Sequence, residues 1–170
     1  MQITGDMIAN VARTGNYIGI PYSKLDCQAF VERVLHDAGL SIINYRGSNH
    51  MWRSLVYDRE LISEAIDFFP GMLVFTLKYD GGETKRGYHD DLGNAVHVGI
   101  YIGGDDVIHS TTGGVQFGKL ARFTHIAKII DVEYGEQSPE NETKTKLHSI
   151  LYALRQLVAE MEELENGIDN

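Results

Sequence analysis

Residues 95–117, AVHVGIYIGGDDVIHSTTGGVQF, decide how this chain is read. Segments rich in valine and isoleucine are punctuated by Gly103-Gly104 and Gly113-Gly114, which predicts two or three strands joined by tight turns. His97 opens the first strand, HVGIYI, and His109 closes the next, DVIH. They lie twelve positions apart around a Gly-Gly turn, so a hairpin brings them roughly opposite each other. One imidazole can then serve as a base while the other fixes its tautomer through the second ring nitrogen. Two sheet histidines with ordinary hydrogen-bond partners are the plainer reading.

Upstream of this stretch the texture is helical. Residues 4–14 predict a short helix with Thr4 as N-cap and Gly15 as its end. NYIGIPYSKL, residues 16–25, is a turn-rich connector. A second helix starts at Asp26 and ends before Gly39, with Phe30, Val31, Val34, Leu35 and Ala38 on one apolar stripe. Ser48 or Asn49 is a candidate cap for a short helix over 51–56, and 59–67 reads as a further helix. After Pro70-Gly71 come the strand-like MLVFTL (72–77) and a polar loop over 78–94, KYDGGETKRGYHDDLGN, a candidate rim of a cleft. HIAKIIDVEY, residues 125–134, is a final strand. Helices first and strands second predict an α+β domain, helices packed on a small antiparallel sheet.

Residues 1–134 are therefore expected to form the domain, 135–142 a linker, and 143–170 a C-terminal amphipathic helix. In the last, Leu147, Ile150, Leu151, Leu154, Leu157, Val158, Met161 and Leu164 follow a heptad-like pattern over 143–165. This stripe predicts self-association, docking on its own domain, or a protein partner.

With 170 residues, 43% of them hydrophobic, the chain can bury one sizeable core. The net charge of -9, without a basic stripe, argues against nucleic acid, whose binding draws on counterion release by Lys and Arg. No apolar run approaches the about 20 residues that span a bilayer, so no membrane span is expected. MQITGDMIANVARTG lacks the features of a secretory signal. The expectation is synthesis in the cytoplasm and action elsewhere only after release or delivery by a partner. A single cysteine permits no internal disulfide.

That cysteine, Cys27, follows Asp26 at the predicted start of the second helix. Backbone N–H groups there are unpaired and the helix dipole is positive, so a thiolate is favoured and its pKa drawn below about 8.5. The same N–H groups suit an oxyanion. A buried, inert thiol is the alternative that position alone leaves open.

Three stretches together carry a resemblance. LDCQAFVERVL (25–35), PGMLVF (70–75) and HVGIYIGGDDVIHST (97–111) resemble, in order and spacing, the nucleophile, first-strand and base motifs of the NlpC/P60 peptidases. These are papain-like cysteine enzymes of bacterial cell-wall turnover. The likeness covers roughly residues 5–132. It departs at Gln28 and Ala29, where the family has Ser and Gly, and at Met72, where an acidic residue is usual. The variant PYSKLDCQAF is similar to the prophage-encoded branch of the family.

The resemblance implies a papain-like fold with Cys27 as nucleophile, His97 as general base and acid, and His109 as the orienting third residue. It also implies Tyr22 as a hydroxyl at the site wall or oxyanion side, and the backbone N–H of Gln28 as an oxyanion donor. The implied substrate is a peptidoglycan stem peptide, cleaved between D-γ-glutamate and a diamino acid through a thioester. No cofactor or metal is expected. Three alternatives stay open: a binding module on the same fold, including one carried by a phage tail, a cysteine-dependent acyltransferase or amidase, and a metal site drawn from His89, Asp90, Asp91, His97 and His109. Trp52 and Tyr101 are candidate cleft aromatics, though single aromatics more often belong to a core.

Overall fold

The computed structural model describes residues 2–78, 88, 90–135, 150 and 154. Among these, three helices precede and pack on a six-stranded antiparallel sheet, giving the α+β architecture that the order of elements predicts. The helices are α1 (Gly5–Thr14), α2 (Cys27–Asp37) and α3 (Ser48–Ser54). The strands are β1 (Val56–Leu61), β2 (Leu73–Lys78), β3 (Asn94–Gly103), β4 (Asp106–Thr111), β5 (Gly114–Lys119) and β6 (His125–Ile129). Their order across the sheet is β1-β6-β2-β3-β4-β5.

Local chemistry sets the helix starts. Thr4 caps α1 by accepting from the Met7 N–H, and Asp26 caps α2 by accepting from the Ala29 N–H at 2.8 Å. The stripe of α2 is realised as drawn: Phe30, Val31, Val34 and Leu35 are fully buried. Burial of that kind contributes roughly 1.5–3 kcal/mol per side chain, which fixes α2 against β3 and β4.

Helix α3 begins earlier than its sequence suggests, with Gly47 as N-cap and no side-chain cap. The polar residues that look like caps face β3 instead. Ser48 donates to the Ala95 carbonyl, while the Asn49 amide bonds Asn94 and accepts from the Ala95 N–H. They hold the start of the strand that carries His97. From the last turn of the same helix, Arg53 grips the chain just before β3. Its guanidinium donates to both Asp90 carboxylate oxygens, at 2.8 and 2.5 Å, and to the Gly93 carbonyl, with the Tyr88 ring 4.3 Å away.

The expected helix over 59–67 is not formed. Strand β1 runs through Leu61 and pairs with β6, with an irregular register between Tyr57 and Glu60. The reason is burial: Ile66 is 72% exposed and Leu61 39%, so no helical stripe is buried. Ile62, Ala65 and Phe68 instead cover the sheet as irregular chain.

The two faces of the sheet carry separate clusters. Leu73, Phe75, Ile100 and Ile108 pack under the helices together with Cys27 and Trp52. Met72, Val74, Tyr101 and Val107 pack with Phe68, Leu120 and Phe123 on the other face. Trp52 and Tyr101 are thus core residues, 2% and 3% exposed. Met72 is buried where the resembling motif carries an acid.

Most of the 78–94 loop, the 135–142 linker and the 143–165 helix lie outside the described residues. At the C-terminal end only Ile150 and Leu154 are described, both helical and exposed.

Candidate active site

The candidate residues are divided between the two clusters: Cys27 belongs to the one under the helices, and Phe123, which flanks both histidines, to the other. Cys27 is the first residue of α2, and the residue is 8% exposed. The Val98 N–H, the Tyr22 hydroxyl and the Gln28 N–H each favour its charged form. Tyr22, electrostatically coupled to it, is 39% exposed, while Cys27 itself belongs to the buried cluster. The Gln28 side chain turns away and donates to Glu32 and to the Tyr45 carbonyl. Only its backbone N–H addresses the sulfur.

The expected low thiol pKa is not what this environment produces. Burial pushes the Cys27 thiol up, and the Asp26 carboxylate adds to the rise. The three donors pull the other way but do not prevail. The helix start thus brings its own opposition: the carboxylate that caps α2 also repels a thiolate one residue on. Tyr22 responds in kind, its hydroxyl pKa raised first by the neighbouring cysteine.

His97 and His109 are joined directly, with His97 Nε2 and His109 Nδ1 2.7 Å apart. Their relation is diagonal, because His109 pairs with Gly99 in the register of β3 and β4. Beside His97 the β2–β3 ladder is irregular: Thr76 pairs with His97, but Leu77 pairs with Ala95. A bulge of this kind re-aims the residue next to it. Phe123 supports both rings, stacked with His97 at 5.7 Å between centroids and edge-on to His109 at 5.4 Å. Sequence reasoning misses Phe123; a lone phenylalanine after a short turn carries no signal.

Burial lowers the His97 pKa. His109 is pushed down to about 4, by burial first and then by His97 and Arg122. Both rings are therefore neutral near pH 7, and one nitrogen of the 2.7 Å pair must carry the hydrogen.

Strand β3 links the two groups, since the Val98 N–H favours charge on the sulfur and His97 directly precedes it. Among the described residues no cluster of histidine, cysteine or carboxylate side chains is arranged to hold a metal ion. Asp90, one of the candidate ligands, is taken by Arg53.

A thiol at a helix start, set against a strand that bears paired imidazoles, defines an α+β protein of the papain-like kind. Residues 14–132 match the NlpC/P60 family, well over half of the chain, and the chain belongs to that family. NlpC/P60 proteins are generally cysteine peptidases that act on the cell wall. The fold is also similar to the solved structure of NlpC2 from Trichomonas vaginalis, with a TM-score of 0.47 and 18% identity over 74% of this chain and 45% of that one. The chain thus spans less than half the length of that NlpC2 chain. Among curated proteins no relative matches. No helix among the described residues is long and apolar enough to cross a membrane.

Proposed function

We propose that this protein is a peptidoglycan endopeptidase that hydrolyses a stem peptide at the D-γ-glutamyl–diamino acid bond. The observation that carries this reading lies at β3, where the Val98 N–H favours charge on the Cys27 sulfur and the next residue back, His97, bonds His109. Family membership supplies the reaction class.

His97 Nε2 is engaged by His109, which leaves Nδ1 as the nitrogen for the thiol proton. For Nδ1 to accept, Nε2 must carry the hydrogen and donate it to His109 Nδ1. His109 then holds His97 in the useful tautomer and stabilises the imidazolium that forms. Because burial raises the thiol and lowers the imidazole, the resting pair is neutral, and the proton moves to His97 as the sulfur attacks the amide carbonyl. The N–H of Gln28 and the Tyr22 hydroxyl, which favour charge on the sulfur, hold the developing oxyanion. His97 gives its proton to the leaving amine, and water then hydrolyses the thioester.

Digestion of purified peptidoglycan of two diamino-acid types, with products identified by mass, tests this reading. The expected product is a stem fragment ending in D-glutamate, absent with Cys27→Ala. Undiminished cleavage by that variant would refute the assignment. Binding of muropeptides without turnover would instead favour a binding module on the same fold. For the 143–165 segment we propose a role in self-association, checked by the molecular mass of the chain with residues 136–170 removed.

A further inference from the structure

An isolated glycine inside a strand often marks a close approach of another group. Gly118 lies in β5, diagonal to His109, which pairs with Gln116. A Cβ at Gly118 would stand 2.5 Å from His109 Nε2, 2.9 Å from Cδ2 and 3.4 Å from Cε1. These are its three nearest atoms, and all belong to one imidazole. The outer edge of the ring therefore lies across the bare Cα of residue 118. On the other flank His109 faces a second glycine, Gly99, where an added Cβ would come within 3.0 Å of the His109 Cβ. The side chain thus runs in a slot from Gly99, beside its Cβ, to Gly118, beside its ring, flanked by Phe123 and ending on His97.

We propose that Gly118 is a positioning residue, whose missing side chain lets the His109 ring lie where its Nδ1 meets His97 Nε2. The inference rests on the roles proposed above for the two histidines. Carbon contacts settle near 3.5–4.0 Å, so a methyl group at 118 drives the ring back by about 1 Å. A 2.7 Å hydrogen bond lengthened by that much is lost. Nothing in the backbone opposes alanine, because the φ of Gly118 lies outside the left-handed region. The cost of a side chain falls on the imidazole rather than on the strand.

The experiment uses the full chain with Gly118→Ala, alone and combined with His109→Asn. Asparagine keeps a polar atom near the Nδ1 position but lacks the atoms that overhang residue 118. The readouts are kcat and KM on peptidoglycan, and the imidazole nitrogen NMR signals of both histidines. The expected result for Gly118→Ala is a roughly ten- to hundredfold fall in kcat with KM little changed, and displaced signals of both rings. In the His109→Asn background the same substitution should cost less than about twofold, since its target atoms are gone. Wild-type kcat and unmoved signals in Gly118→Ala would overturn the proposal. An equal loss in both backgrounds would also overturn it, because the glycine would then serve strand packing alone. If Gly118→Ala fails to fold, the pair of substitutions decides: folding restored by His109→Asn supports the slot, and continued failure overturns it. Should the wild-type chain leave peptidoglycan intact, the functional reading falls by itself. The imidazole signals, with the pH dependence of Cys27 alkylation by iodoacetamide, still judge Gly118.

Discussion

Ser110 donates its hydroxyl to the Leu25 carbonyl at 2.5 Å, two residues ahead of Cys27. Its neighbour His109, on the opposite face of β4, meets His97. Consecutive residues of one strand thus fix the segment that delivers the thiol and the ring that bonds His97. Ser110 is fully buried, so Ser110→Ala leaves the Leu25 carbonyl without its donor. Such a loss costs about 1–3 kcal/mol. Urea unfolding should show this drop, with a fall in turnover larger than the stability change explains.

Within the proposed mechanism, Cys27→Ala and His97→Ala should each lower turnover by at least about a thousandfold, while His109→Asn retains part of it. The thermal midpoint should stay near that of the wild type in Cys27→Ala. Steady-state assays on muropeptides, paired with thermal unfolding, provide the check.

In the proposed mechanism the active form holds one proton between thiol and imidazole. Activity therefore falls on the acid side as His97 takes a second proton, and on the alkaline side as the pair loses its last one. The His97 pKa lies below the ordinary 6.5, and that of Cys27 above the ordinary 9.0. The kcat/KM profile should form a broad plateau with its limbs outside those two values. An acid limb centred above pH 6.5 would contradict the neutral resting pair.

Stability should respond to acid through His109. Its pKa is about 4 in the folded chain against an ordinary 6.5, so the unfolded chain binds more protons between those values. The contribution is complete above pH 6.5 and is lost as pH falls towards 4, on the order of 2–3 kcal/mol at 5% exposure. His109→Asn should flatten this part of the stability curve. An unchanged slope in that variant would argue that another buried group is responsible.

Phe123 is 3% exposed and touches both imidazoles. Phe123→Ala should cost about 3–5 kcal/mol in stability. Phe123→Leu should keep most of the stability yet lose turnover, because a branched aliphatic chain cannot stack with His97. Comparing the two variants separates support of the core from support of the rings.

What could be read in advance divides along a physical line. The helix starts at Thr4 and Asp26, the apolar stripe of α2 and the glycine-punctuated strands depend on neighbours in sequence, and they were legible. The segment over 59–67 was not. Its helical spacing is real, but pairing of β1 with β6 and burial of Ile62 and Phe68 prevail over it. The diagonal meeting of His97 and His109 depends on a bulge beside Thr76, which no local pattern announces. Phe123 and Gly118 act through contacts across the sheet. The raised thiol was missed for a similar reason: the helix start is a local feature, whereas desolvation depends on everything folded over it.

The grip of Arg53 on Asp90 and Gly93 bears on how such a protein can diversify. The chain between β2 and β3 is brought back into register four residues before the first imidazole, whatever precedes that point. Insertions or exchanges upstream of Tyr88 are thereby insulated from the reaction centre, which makes that connection a natural place to graft new selectivity without retuning the chemistry.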